Sequence, residues 1–214
     1  TFARQNNFSM LHTHFSVKAA LIALLVFQVF CKENPLESVE NRTPEGQTER
    51  YQRRKNNLAK EGLYQRFAPG GQLAEEAHYI NDTLDGERRY FFPDGKVESI
   101  EHFSHGKFHG QYRKFYASGQ LYIEQEFVDG AMQGLSISYY PNGLVKERVT
   151  IRDNDENGPF QEYWENGKLH FEGSYQPTED GSAEQGELKE YNENGELIRI
   201  ADCNQGVCLT RWRK

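Results

Sequence analysis

The sequence predicts an all-β chain, an elongated antiparallel meander of about six β-hairpin repeats, and three observations predict it. Glycines open successive units at Gly62, Gly86, Gly110, Gly134, Gly158 and Gly186, in steps of 24, 24, 24, 24 and 28 residues. Nine positions later a second glycine follows each time, at Gly71, Gly95, Gly119, Gly143, Gly167 and Gly195. An aromatic residue sits at offset five (Phe67, Phe91, Phe115, Tyr139, Tyr163, Tyr191) and an aliphatic at offset eleven (Leu73, Val97, Leu121, Val145, Leu169, Leu197). Periods of this length mark stacked supersecondary units, none of which buries its apolar face alone.

Taken in order along the chain, residues 1–9 precede Met10 and are read as an upstream extension outside the fold. From Met10 the chain reads MLHTHFSVKAALIALLVFQVFC, with Lys18 followed by twelve residues, Ala19 to Phe30, that are apolar apart from Gln28. Twelve is short of the roughly 20 residues a membrane span needs and matches the apolar region of a secretory signal. Cys31 directly after it resembles the acylated cysteine of a bacterial lipoprotein, although Gln28, Val29 and Phe30 depart from the usual box. Acylation at Cys31, an uncleaved anchor and cleavage elsewhere are the three outcomes, and each places the body in the cell envelope, outside the cytoplasm. Stable acyl anchoring takes more than one chain. Residues 32–60 are polar and charged, which reads as a flexible tether with a short helix near its end. Its Arg50, Arg53, Arg54 and Lys55 form a basic cluster, either solvated or set against anionic lipid.

Through the repeats the turn segments are FAPGG, FFPDG, FYASG, YYPNG, YWENG and YNENG. Pro suits the first central position of a type I turn, Asp or Asn the second, and the glycine after them takes the left-handed conformation. This is a three-residue hairpin loop with a glycine bulge. It sets the offset-five aromatic opposite the offset-eleven aliphatic, so both columns share one face. A two-residue loop would put them on opposite faces. Steps of two from offset eleven extend that face to offset seventeen (Tyr79, Phe103, Phe127, Ile151, Tyr175). A second turn such as SHG, VDG or DNDENG precedes each new opening glycine. At the carboxyl end, residues 201–214, Cys203 and Cys208 are five apart in DCNQGVC. In an oxidising compartment they close a small loop that caps the array; free thiols and a metal site are the alternatives.

GPFQEYWENGKLHFEGSY resembles the variant MORN repeat (membrane occupation and recognition nexus) of bacterial proteins, which include the YwqK-type antitoxins. The resemblance runs from Gly62 to about Ile200, some two thirds of the chain. It implies a single-layer meander used as a binding or spacing scaffold, and an antitoxin-like role that works by direct binding to a toxin is the alternative it carries.

The formal net charge is −7, and the residues after Phe30 hold 23 basic against 32 acidic side chains. An acidic surface repels phosphates, which argues against nucleic acid as a partner. Motifs of nucleophilic, phosphate-binding or zinc chemistry are missing, so no catalytic residue and no cofactor is expected. His102, His105 and His109 in EHFSHGKFHG lack the cysteines or clustered carboxylates of a metal site and read as polar turn residues. The face opposite the regular columns, offsets two and six, carries Tyr64, Phe92, Tyr112, Tyr116, Tyr140, Phe160 and Trp164 among charged residues. Amphipathic aromatics beside arginine suit contact with a protein partner. Cross-strand packing alone and a glycan or lipid head group are the other readings of that face.

Overall fold

The computed structural model describes residues 35–214; residues 1–9, the apolar stretch and Cys31 lie outside the described residues. Those described form seventeen strands in one sheet and no helix. A first hairpin joins β1 (Leu36–Arg42) to β2 (Thr48–Arg54). The repeats follow as β3 (Lys60–Phe67) with β4 (Leu73–Ile80), then β5 (Thr83–Phe91) with β6 (Val97–Ser104). Next come β7 (Lys107–Phe108), β8 (Gly110–Phe115) and β9 (Leu121–Val128), then β10 (Ala131–Tyr139) with β11 (Val145–Arg152). The last are β12 (Asp155–Tyr163), β13 (Leu169–Thr178), β14 (Gly181–Glu184), β15 (Gly186–Tyr191), β16 (Leu197–Asn204) and β17 (Val207–Arg213). Successive strands pair antiparallel from β1 to β17. Two strands are interrupted: β7 and β8 both pair with β6, and β14 and β15 both pair with β13.

The first turn of each unit has the predicted geometry. In the first repeat the Gly71 N–H donates to Ala68 O at 2.8 Å, and the Ala68 N–H donates to Gln72 O at 2.8 Å. Gly71 has φ +86°, a conformation open to glycine and strained for other residues. All six predicted pairs form: Phe67 with Leu73, Phe91 with Val97, Phe115 with Leu121, Tyr139 with Val145, Tyr163 with Leu169 and Tyr191 with Leu197. The second turns are shorter than their sequence suggests. Asn81–Asp82, His105–Gly106, Asp129–Gly130, Asp153–Asn154 and Gln205–Gly206 are two-residue loops with positive φ at both positions, which defines type I′. The four extra residues of the 28-residue step lengthen the hairpin of β13 and β14, where Thr178 pairs with Gly181.

Two expectations change. The segment read as a flexible tether contains the hairpin of β1 and β2, closed by a seventh copy of the same turn at Thr43-Pro44-Glu45-Gly46, with Gly46 at φ +83°. The arginines of its basic cluster are ion-paired: Arg50 with Glu40 at 2.9 Å, Arg53 with Glu37 at 2.7 Å and Arg54 with Glu61 at 2.9 Å.

The division into faces also differs. Beside each first turn the register slips by one residue, so offset four pairs with offset thirteen while offset five pairs with offset eleven. A bulge of this kind breaks the alternation of side chains. Offsets thirteen, fifteen and seventeen therefore share a face with offsets two and four. That face holds the core. Phe160, Leu188, Val149, Ile151, Ala201 and Cys203 form its buried cluster, with Tyr175, Phe171, Met132 and Cys208 packed against them. Among the described residues no large side chain is completely buried, as expected of a core one side chain deep.

Candidate functional site

The bulge turns the offset-two residues inward. Tyr64 is 5% and Phe160 3% exposed, so both are core residues, against their reading as contact residues. Tyr64 packs edge-on to Tyr79 at 5.7 Å and donates its hydroxyl to Glu49 at 2.9 Å, while Phe160 stacks on Tyr175 at 4.3 Å. Burial, followed by the Glu49 contact, pushes the Tyr64 hydroxyl pKa up. Tyr112 is half-buried, 6.3 Å from Phe127. Each offset-two residue pairs with offset fifteen: Tyr64 with Ala77, Phe160 with Gly173 and Leu188 with Ala201. Large opposes small here, and a Cβ placed on Gly173 would lie 2.8 Å from Phe160 Cε1.

Where this column is polar, it becomes an ion-pair network. Glu75, 5% exposed, accepts from Arg66 Nε at 2.9 Å and from Arg88 Nε at 2.8 Å. Arg88 lies 3.9 Å from Glu101, its cross-strand partner, and 4.6 Å above the Tyr90 ring. In the later repeats the same face gathers carboxylates. Glu147 stands opposite Glu162, and Glu184 opposite Tyr175. Burial and then Glu147 raise the pKa of both Glu162 and Glu156.

The offset-six aromatics Phe92, Tyr116, Tyr140 and Trp164 are half-buried at the first turns. Tyr116 and Tyr140 each donate a hydroxyl at 2.7 Å to the next unit, to Tyr139 O and Tyr163 O. Trp164 Nε1 donates to Tyr191 O at 3.0 Å. These rings tie turn to turn.

The opposite face presents a row that sequence reading missed. Cross-strand pairs link Glu76, Arg89, Ile100, Arg113, Glu124, Ile137, Arg148, Gln161, Glu172, Lys189 and Ile200 in one continuous line. Glu124 accepts from Tyr139 at 2.6 Å, and Glu172 from Tyr191 at 2.8 Å and from Lys189 at 3.3 Å. Among the described residues neither Arg113 nor Arg148 has a carboxylate partner. A 650 Å³ open groove beside Arg148 is lined by Leu135, Thr150, Pro159, Gln161 and Ser174 and by Lys189, which is ion-paired there with Glu172 and Glu187, and Leu135 is 49% exposed. Offset three would have disclosed this row had the bulge been placed.

The histidines have structural contacts. His102 Nδ1 lies 2.6 Å from Gln111 O, and His109 Nδ1 accepts from the Asp129 N–H at 3.4 Å. Cys203 and Cys208 pair directly across β16 and β17 and are joined by a disulfide.

Among solved structures, the Glycosylation Associate Protein (Gap123) complex from Streptococcus agalactiae matches at 15% identity and a TM-score of 0.31, over 54% of this chain and 21% of that one. This chain thus spans about a fifth of the length of the structure it matches. No curated protein matches. The family model described as MORN repeat variant matches residues 60–81, 84–105, 108–129, 156–176 and 184–202. The stretch between the third and fourth matches folds as the same hairpin, β10 with β11. With its hairpins in register with five matches, the chain belongs to the MORN repeat variant family.

Proposed function

We propose that this repeat scaffold is exported, anchored in the bacterial envelope through acylated Cys31, and presents its charged face to a protein partner. The observation that carries the partner reading is the continuous row on the face opposite the core, with Arg113 and Arg148 free of carboxylates and exposed Leu135 in the groove beside Arg148. Arginine beside apolar surface is the composition of interface anchors, and unpaired guanidinium groups favour a partner segment that carries carboxylates. The joined Cys203 and Cys208 support an oxidising compartment. The ion-paired Arg50, Arg53 and Arg54 weaken a lipid head-group reading, because their charge is already matched by Glu40, Glu37 and Glu61.

Two experiments test this reading. Palmitate labelling and fractionation of the wild type against Cys31→Ala should give a labelled, membrane-bound wild type and an unlabelled variant. An unlabelled cytoplasmic wild type would contradict the export and anchor reading and favour the antitoxin-like alternative. Cross-linking in native envelopes should recover a partner with the wild type and lose it with Arg113→Glu/Arg148→Glu. Unchanged capture by a folded double variant would overturn the charged-face assignment.

A further inference from the structure

We propose that the turn edge of the sheet is a binding site for an uncharged, extended β-1,4-linked glycan, read by the ladder of Phe92, Tyr116, Tyr140 and Trp164. These residues follow β5, β8, β10 and β12, and neighbours in the series are two strands apart. At about 4.8 Å per strand the rings repeat every ~10 Å. Hydrogen bonds to the next unit hold three of them along the row, since Tyr116, Tyr140 and Trp164 spend their polar tips on the carbonyls of Tyr139, Tyr163 and Tyr191. What remains for a ligand is ring surface, pre-organised by those tethers. Tyr122, 39% exposed, widens the strip 5.0 Å from Tyr116, while His170 packs against one face of the Trp164 ring at 3.6 Å and leaves the other for a ligand.

The surroundings select the ligand's charge. Asp94 and Lys96 neutralise one another at 3.0 Å, and Asn142 and Asn166 donate to the carbonyls of Glu165 and Glu193 at 2.9 Å. Glu165 and Glu193 at the same turns are exposed, and Glu165 acts on the Tyr140 hydroxyl, so the edge repels an acidic polymer and suits an uncharged chain that offers an apolar face at each ~10 Å repeat. In an extended β-1,4-linked glycan alternate sugars turn the same C–H face to one side, and one disaccharide has about that length. An amphipathic helix needs an apolar groove to receive a stripe of side chains, whereas here a single file of rings lies between polar loops. The disulfide fits a compartment in which such polymers are met. This site lies apart from the charged face, so it stands or falls independently of the protein-partner reading.

The test is calorimetric titration of the intact chain with N-acetylglucosamine di-, tetra- and hexasaccharides. Affinity should strengthen with each added disaccharide. Trp164→Ala should weaken hexasaccharide binding about tenfold, as loss of an aromatic anchor does. Tyr140→Phe, which keeps the ring and removes its tether, should retain binding even if Tyr140→Ala fails to fold. Absence of binding, equal binding of an α-linked dextran oligomer, or unchanged affinity in folded Trp164→Ala would overturn the proposal. So would an amphipathic helical peptide that binds the ladder when no sugar does.

Discussion

Phe160 and Gly173 show how a single-layer sheet obtains a buried core. The ring of Phe160 occupies the space that a side chain at position 173 would fill, and Leu188 over Ala201 and Tyr64 over Ala77 repeat the arrangement. Phe160→Ala should cost about 3 kcal/mol, the range for an aromatic truncated in a packed core. Gly173→Ala should cost about 1–3 kcal/mol through overpacking. Both are read from urea midpoints, and an unchanged midpoint in either would show that the column is not close-packed. Glu75→Gln should be as damaging, about 3 kcal/mol, because Arg66 and Arg88 would lose their shared carboxylate at a largely buried position.

Glu162 makes a pH prediction at the same scale. Burial and then Glu147 raise its pKa, so the folded state holds the proton more tightly than the unfolded chain does. That contribution is fully present below the unfolded pKa and is lost as pH rises through the raised folded value. Glu162→Gln should therefore melt above the wild type at neutral pH, with the gap closing in acid below the ordinary glutamate range. A gap that is constant with pH would contradict strain at this carboxylate.

At the scale of the hairpin, what the sequence reveals depends on whether backbone or side-chain chemistry carries the signal. The first turns were legible because a left-handed position selects glycine, as at Gly71. The six aromatic–aliphatic pairs followed from loop length alone. The bulge was not legible, since nothing about Leu73 or Ala74 marks the extra residue, and missing it exchanged the two faces. The contrast of Phe160 with Gly173 and Leu188 with Ala201 was the available clue. The first hairpin was overlooked because Arg42 and Thr48 replace the aromatic and the aliphatic, yet its TPEG turn follows the rule.

The last hairpin carries its own prediction. The disulfide between Cys203 and Cys208 closes a loop of about six residues, and the chain-entropy relation gives about 2 kcal/mol for it. Cys208→Ser should lower stability by that amount, and a reductant should bring the wild type to the same level. Continued sensitivity of the variant to reductant would contradict the assignment.

Over the whole molecule the hairpins add along one direction, each contacting only its neighbours, and stability is expected to grow roughly by a fixed increment per unit. Among the described residues the buried cluster joins strands of adjoining units. The 28-residue step illustrates this tolerance, because its extra residues extend one hairpin and leave the pairing of β13 with β15 intact. The surfaces follow from the same geometry: a core face, a charged face and an edge of turns, each repeated in nearly every unit.

Excision of residues 110–133, one complete 24-residue unit from glycine to glycine, tests this additive scaffold most directly. Urea unfolding of the shortened chain should remain cooperative, with a native β spectrum, a lower midpoint and a smaller m-value in keeping with the lost surface. Collapse of the fold on removing that one unit would contradict it.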